Sequence, residues 1–463
     1  MITNFVLGFN FFIIFYVFII NFIYFIQLIF AIFNLYEYVE KIKYSDYKNY
    51  IVSDNMIPTS ILVAAYNEEN TIVNNVDSLL ALKYPMFEVV VINDGSKDNT
   101  LEDLKRHFEL EKINKPIHKR VETKKVRGIY ESKKYSNLIV IDKENGGKAD
   151  ALNAGVNISS YPIVASIDAD SILESDALVR VVMPFIKDKN TAAVGGIVRI
   201  ANGSKIVDGR VVNVNIPKSK LARFQIIEYL RAFLIGRVGW DAINSVLIIS
   251  GAFGVFRKDI LVKVGGYAHT IGEDMELVLK IHKYSMDNKL NLRVKYIPDP
   301  VCWTQAPENL KGLRTQRRRW QVGLMQSLFS YKSMLFNPKY KQIGLFTLPY
   351  YWIFEMLGPL VETLGYILIP ISYFIGLLNI KYLVLFFSAS ILYGIILSLG
   401  ALLLEEYTFN KYPSIKQILI LSIFAILENF GFRQLMTLYR TEGLFRYNSL
   451  KNKWGSIRRT KFN

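Results

Sequence analysis

The sequence predicts an α/β domain built on a parallel sheet and inserted between membrane-spanning helices, in an integral membrane protein. Three observations carry this expectation. An almost unbroken apolar run fills residues 5–35. From Pro58 to Phe256, short apolar runs alternate with helical patterns. From Ile343 the chain turns apolar again. The composition agrees, with 51% hydrophobic residues and a mean hydropathy of +0.21, too apolar for an ordinary soluble protein.

The first run is long enough for a helix that crosses a bilayer, which takes about 20 apolar residues. It is too long for a signal-peptide core, and the first 36 residues hold no Lys or Arg. An uncleaved transmembrane helix over 1–36 is expected. Lys41, Lys43 and Lys48 follow it, and the positive-inside rule then puts the next domain in the cytoplasm. That domain is expected over 55–310. Its strands are read at Ile61 to Ala65, Val89 to Ile92, Leu138 to Ile141 and Ile163 to Ile167, with helices at Asn70 to Leu82 and Lys148 to Val156 between them. Strands alternating with helices imply a parallel sheet with ligands at the carboxyl ends of the strands. Lys105 to Lys134 reads as a charged helix or hairpin inserted in this sheet.

Interfacial helices are expected over 311–345 and transmembrane or interfacial helices over 346–439. Candidate spans are 348–378, 383–404 and 418–435, interrupted by Glu355, Glu362, Glu428 and Arg433. Charges at that depth face a polar cavity or a partner; Glu355 and Glu362 are expected to line a polar path. The tail over 440–463 is basic, with Arg446, Lys451, Lys453, Arg458, Arg459 and Lys461, and is expected in the cytoplasm. Three spans after a cytoplasmic domain conflict with a cytoplasmic tail unless one is interfacial or the first region hides two. The net charge of +16 fits an anionic membrane face or an anionic substrate. No zinc-finger spacing or Arg-rich recognition motif points to nucleic acid. A single cysteine, Cys302, excludes an intrachain disulfide and a cysteine metal cluster.

Five stretches bear chemistry, and each also reads as ordinary structure. Ala64-Ala65-Tyr66-Asn67-Glu68-Glu69 closes the first strand, with Asn67 or Asn70 as a helix cap. It presents amides and Glu68 where a nucleotide would sit, or is a plain turn. Asp94 follows the second strand in Asn93-Asp94-Gly95-Ser96, placed to accept from a base or ribose, or serving a common Asp-Gly turn. Asn145-Gly146-Gly147-Lys148-Ala149-Asp150 opens a helix; its glycines admit a phosphate and Lys148 supplies a charge, or it is a simple capped start. It is not a Walker A loop. Asp168-Ala169-Asp170 ends a buried strand, so alternate side chains put Asp168 and Asp170 on one side, suited to a divalent cation or to a solvated turn. Gly272-Glu273-Asp274 opens a helix, as a general base or as acids favoured by the dipole. Further on, Gln316, Arg319 and Trp320 stand at i, i+3 and i+4. They suit a phosphate and a sugar face, or a basic and aromatic membrane belt.

In this order, between apolar helices, these motifs resemble the processive family 2 glycosyltransferases, the cellulose, chitin, hyaluronan and poly-N-acetylglucosamine synthases. The resemblance runs from about Ile61 to Trp320. The wording Asn-Gly-Gly-Lys-Ala-Asp-Ala-Leu-Asn-Ala-Gly and Gly-Glu-Asp-Met-Glu-Leu most resembles bacterial poly-β-1,6-N-acetylglucosamine synthases. The resemblance implies a GT-A fold and an inverting, processive transfer from a UDP-sugar, UDP-GlcNAc favoured, to a growing glycan at the cell membrane. The alternatives are a single-sugar transfer to a lipid carrier, or a different polymer such as cellulose or hyaluronan. Carried across, Tyr66, Glu68 and Asp94 would hold uridine, Lys148 the pyrophosphate region and Asp168 the nucleotide. Asp170 would bind Mg²⁺ or Mn²⁺. Asp274 would be the base beside Glu273. Gln316 and Arg319 would contact the diphosphate, and Trp320, with Gly251, Ala252 and Phe253, the acceptor. The family's usual Thr-Glu-Asp is Gly272-Glu273-Asp274 here. The chain ends too soon after Arg440 for a cyclic-di-GMP-binding domain, so such control would need a small membrane or regulatory subunit. Membrane lipid is an expected partner and nucleic acid is not.

Overall fold

The computed structural model describes residues 2–43, 56–207, 209–412 and 414–451. Lys48, Lys453, Arg458, Arg459 and Lys461 therefore lie outside the described residues. The chain divides into two compact units. One, Val39–Pro217 with Asn244–Ala306, holds the sheet; the other, Met1–Tyr38, Lys218–Ile243 and Pro307–Ile457, is helical.

In the sheet unit the strands run β1 Thr59–Ala65, β2 Phe87–Asn93, β3 Leu110–Ile113, β4 Val126–Ser132, β5 Leu138–Lys143, β6 Ile163–Asp168, β7 Ile172–Leu173, β8 Thr191–Ile200, β9 Lys205–Val207, β10 Arg210–Asn213, β11 Phe253–Arg257 and β12 Arg293–Thr304. Ten of them form one sheet in the order β3-β4-β5-β2-β1-β6-β11-β8-β12-β7, and β9 and β10 form a separate hairpin. The four strands read from the sequence, β5, β2, β1 and β6, are contiguous and parallel. They are Val- and Ile-rich because helices cover both faces and leave no solvated side to alternate with. Ile61, Leu62, Val63, Val89 to Ile92 and Val140 are fully buried.

The sheet is mixed, where an all-parallel one was expected. β11 runs antiparallel between β6 and β8. It is a five-residue apolar run behind Gly251 and Ala252, with no helix between it and a parallel neighbour to mark its direction. The charged insertion is the hairpin β3–β4, which extends the sheet edge antiparallel to β5. The turn after β1 differs in detail: the helix Ile72–Leu80 starts at Thr71 with no side-chain cap, and Asn67 sits at φ +55°.

Among the described residues, three helices are long and apolar enough to cross a membrane: Val6–Lys41, Leu383–Thr408 and Ile415–Phe445. The expected span 348–378 is instead a pair, Ile343–Met356 and Gly358–Phe374, bent by 41°. Pro359 at the break has no amide to continue the ladder. The expected span 418–435 is broken too, by non-helical Phe430 and by Gly431 at φ +105°. The interrupting charges are satisfied locally, as burial in a low dielectric demands. Fully buried Glu428 pairs with Arg231 and Arg433 and accepts from the Ser398 hydroxyl at 2.6 Å. Glu355 pairs with Arg440 at 3.1 Å, and Glu362 accepts from Thr437 at 2.7 Å.

Candidate active site

Four loops meet at the carboxyl ends of β1, β2, β5 and β6, joined by the helix start at Glu273. The first two lace together through their own polar atoms. The Asn67 amide side chain accepts from the Lys97 amide at 2.8 Å, and the Asn67 amide donates to Ser96 Oγ at 3.0 Å. The Glu68 amide donates to Thr100 Oγ1 at 2.9 Å, and the Glu68 carboxylate accepts from Thr71 Oγ1 at 2.9 Å. Tyr66 stays exposed beside them.

Asp94 is buried, and its carboxylate organises the third loop. Oδ1 accepts from the Gly146 amide at 2.9 Å and Oδ2 from the Gly147 amide at 2.7 Å. The fully buried ammonium of Lys143 sits 2.6 Å from Asp94 and 2.5 Å from Asp150. Asp150 in turn accepts from the Lys124 amide and the Thr123 hydroxyl. Both glycines are required by the geometry. A Cβ on Gly146 would lie 2.4 Å from Asp150 Oδ1, and Gly147 holds φ +86°. The loop therefore delivers Lys148 at the start of the helix Lys148–Ile158 in one fixed position.

Lys148 is the hub. Its ammonium lies 2.6 Å from Asp168 at the end of β6 and 3.0 Å from Glu273, and donates to the Gly251 carbonyl at 3.1 Å. Burial opposes its charge, but Asp168 and Glu273 outweigh burial and hold its pKa above the usual lysine value. Burial, helped by Asp274, lifts Glu273 above the usual carboxylate range against the pull of Lys148. Asp274 is the more accessible of the two acids, half-buried where Glu273 is buried. It accepts from the Gly251 amide at 3.2 Å and from the Met275 amide at 2.8 Å. Ala252 accepts from the Asp168 amide at 3.3 Å, and Phe253 is buried in β11. Cys302 is buried, and burial, with Asp168 and Asp170 adding, pushes its thiol up and away from nucleophile chemistry.

The sheet unit thus joins Asp94, Lys148, Asp168, Gly251, Ala252, Glu273 and Asp274 through one chain of contacts. Asp170 follows Asp168 at its half-buried strand end. Among the described residues no group of three or more His, Cys, Asp or Glu is poised to hold a metal. That donor set fits Mg²⁺ or Mn²⁺ of the kind that takes one or two carboxylates and fills its shell with substrate phosphate and water.

In the helical unit, Gln316, Arg319 and Trp320 lie on the helix Leu310–Ser330, as the spacing predicts. Gln316 is buried with its Oε1 unpartnered, and Trp320 is exposed. The Arg317 guanidinium lies 4.3 Å from the Trp320 ring centre and 2.7 Å from Glu228. Sequence reasoning missed Arg317 and Glu228. It also missed Lys143 and Asp150. A lysine in the last position of a buried strand, just before a Gly-Gly loop, was the available signal.

The model of the family described as glycosyl transferase family group 2 matches residues 163–403, more than half of the chain. The chain belongs to the family 2 glycosyltransferases. The glycosyl transferase family 2 model itself matches residues 60–260. The sheet unit is thus a GT-A-like domain, flanked by apolar helices able to span a membrane. As a family 2 glycosyltransferase the chain is 35% identical over 299 residues to the poly-beta-1,6-N-acetyl-D-glucosamine synthase of Staphylococcus aureus strain MSSA476. That match covers 63% of this chain and 61% of the relative. The synthase of the same name from Staphylococcus epidermidis is 34% identical over 268 residues, 57% of this chain and 54% of that one. The chain therefore spans under two thirds of the length of these relatives. Among solved structures, the mannosyltransferase PcManGT from Pyrobaculum calidifontis in complex with GDP-Man and Mn²⁺ overlays 91% of this chain and 99% of its own. Its TM-score is 0.48 at 17% identity, too low to decide anything about fold or ligand.

Proposed function

We propose that this protein is a membrane-embedded, inverting and processive glycosyltransferase that elongates a β-linked polysaccharide from a UDP-sugar, with UDP-GlcNAc the favoured donor. The observation that carries the reading is the Lys148 hub. It holds Asp168 at the strand end and Glu273 in place, and leaves Asp274 as the accessible carboxylate beside Gly251. The relatives named as poly-β-1,6-GlcNAc synthases supply the donor preference.

In this reading Tyr66, Glu68 and Asp94 face uridine, with Asp94 also holding the Gly-Gly loop. Lys148 meets the diphosphate and Asp168 the nucleotide, and Gln316 and Arg319 add contacts to the diphosphate. Gly251, Ala252, Phe253 and Trp320 border the acceptor. Asp170 would hold Mg²⁺ or Mn²⁺, whose bound charge offsets that of the diphosphate leaving group. Asp274 takes the proton from the acceptor hydroxyl. The acceptor oxygen bonds to the anomeric carbon from the face opposite the diphosphate, the bond to the diphosphate breaks, and UDP leaves. A general base of this kind contributes about 10²–10⁴-fold.

The test is Asp274→Asn in purified membranes. The expected result is loss of sugar transfer with UDP binding retained. Activity within a few-fold of the parent removes Asp274 from this role. Product sizing with UDP-GlcNAc, UDP-Glc and UDP-GlcA separates the polymer reading from its rival: a single-sugar lipid product rejects processivity.

A further inference from the structure

At the end of the sheet opposite the catalytic cluster lies a cavity of about 610 Å³. It opens where β6 begins and β11 ends; Arg257 pairs with Ile163 across that boundary. β6 runs from Ile163 to Asp168 with about 3.3 Å rise per residue, so roughly 17 Å of strand separates this end from Asp168. The wall is basic. Arg120, Lys189, Arg257 and Lys258 line it with a single acid, Asp259, and Tyr161 adds an aromatic face.

The charges do not cancel. Arg257 is matched by Asp259 through two hydrogen bonds of 3.0 and 2.8 Å. Arg120, Lys189 and Lys258 have no carboxylate partner among the described residues. Lys258 is the telling one. Its side chain is only 6% exposed, yet its ammonium donates to a neutral carbonyl, that of Ser159. Burial, reinforced by the Arg120 charge, lowers its pKa to about 8. The acid acting on it, Glu88, is itself committed to the Ser60 hydroxyl and to the amide and hydroxyl of Ser160. A buried ammonium without a counterion is costly, and it retains donors for an outside acceptor.

We propose that this cavity is a binding site for a phosphate-bearing anion, distinct from the donor site, with Lys258, Arg120 and Lys189 as its cationic contacts. A volume near 600 Å³ suits a ligand of nucleotide or lipid-headgroup size. Phosphate oxygens match a guanidinium fork and accept from an ammonium. The chemistry is shared by anionic lipid headgroups and by soluble phosphate compounds.

The experiment uses the full chain in phosphatidylcholine nanodiscs, with UDP at saturation to fill the donor site and inorganic pyrophosphate as the probe. The expected result is a second saturable site. The exposed pair Arg120→Gln/Lys189→Gln should weaken it by about tenfold or more, the scale of one lost charge-assisted hydrogen bond, with UDP affinity unchanged. Lys258→Met should weaken it likewise. Repeating the titration in phosphatidylglycerol nanodiscs separates the sources. Loss of the pyrophosphate signal there assigns the site to headgroups, and retention assigns it to a soluble ligand. No second site in phosphatidylcholine, or a site unaltered by Arg120→Gln/Lys189→Gln, overturns the proposal.

Discussion

Gly251 lies between the Lys148 ammonium and the Asp274 carboxylate and bonds to both. Its carbonyl accepts from Lys148 and its amide donates to Asp274. A Cβ built there would stand 3.1 Å from Lys148 Nζ and 3.6 Å from both Asp274 Oδ2 and Glu273 Oε1. The first distance is tight and the other two are ordinary contacts. Gly251→Ala should therefore fold, because only the flexible end of Lys148 must move. It should displace that ammonium from Asp168 and Glu273. A 1 Å misplacement of a positioning group costs on the order of 10²-fold, so the few tenths of an ångström that a 3.1 Å contact demands should cost roughly 3- to 10-fold. The expected outcome is a loss of kcat/KM of about that size in a UDP-release assay, with the melting temperature of the purified protein near that of the parent. A variant with parental kcat/KM shows that the Gly251 contacts do not position Lys148.

At the scale of elements, the loop between β5 and the helix Lys148–Ile158 depends on one buried cation. Lys143 lies between Asp94 and Asp150, all three nearly or fully buried. Removing the cation from such a cluster typically costs about 3–5 kcal/mol, because two carboxylates are left facing each other out of water. Lys143→Met should lower stability by that amount and free the Gly146 and Gly147 amides from Asp94. Chemical denaturation and UDP binding measure the two effects. Normal UDP affinity in a folded Lys143→Met protein would detach the loop from the nucleotide.

The same loop marks where sequence reading stops. β5, β2, β1 and β6 were legible because burial on both faces writes itself as Val and Ile. Lys148, Asp168 and Asp274 were legible because they sit where strands end and helices begin. The Lys143 charge cluster was not. Asp94 and Asp150 lie 49 positions before and 7 positions after their cation, and no periodicity links such partners. The direction of β11 was hidden for a similar reason: a short apolar run carries no sign of parallel or antiparallel pairing. The breaks at Pro359 and Gly431 were visible as residues, but hydropathy alone overrode them.

For the whole molecule, the crossing number decides on which side the chemistry takes place. Residues 1–36 hold no Lys or Arg while Lys41 and Lys43 close the helix Ile2–Lys43, and the positive-inside rule makes a cytoplasmic sheet unit the expectation. A basic tail on the same side needs an even number of later crossings. The conflict is removed when the bent pair Ile343–Met356 and Gly358–Phe374 lies along the membrane interface and does not cross. The spans Leu383–Thr408 and Ile415–Phe445 then cross out and back. Two exposed positions discriminate. Asn379 precedes the first of these helices and Asn410 follows it. The natural cysteine, Cys302, is buried, so background labelling in intact cells is low. With a membrane-impermeant maleimide, Asn410→Cys should label in intact cells and Asn379→Cys only after lysis. A bent pair that spans the bilayer reverses both results and places the tail on the opposite side from the sheet unit.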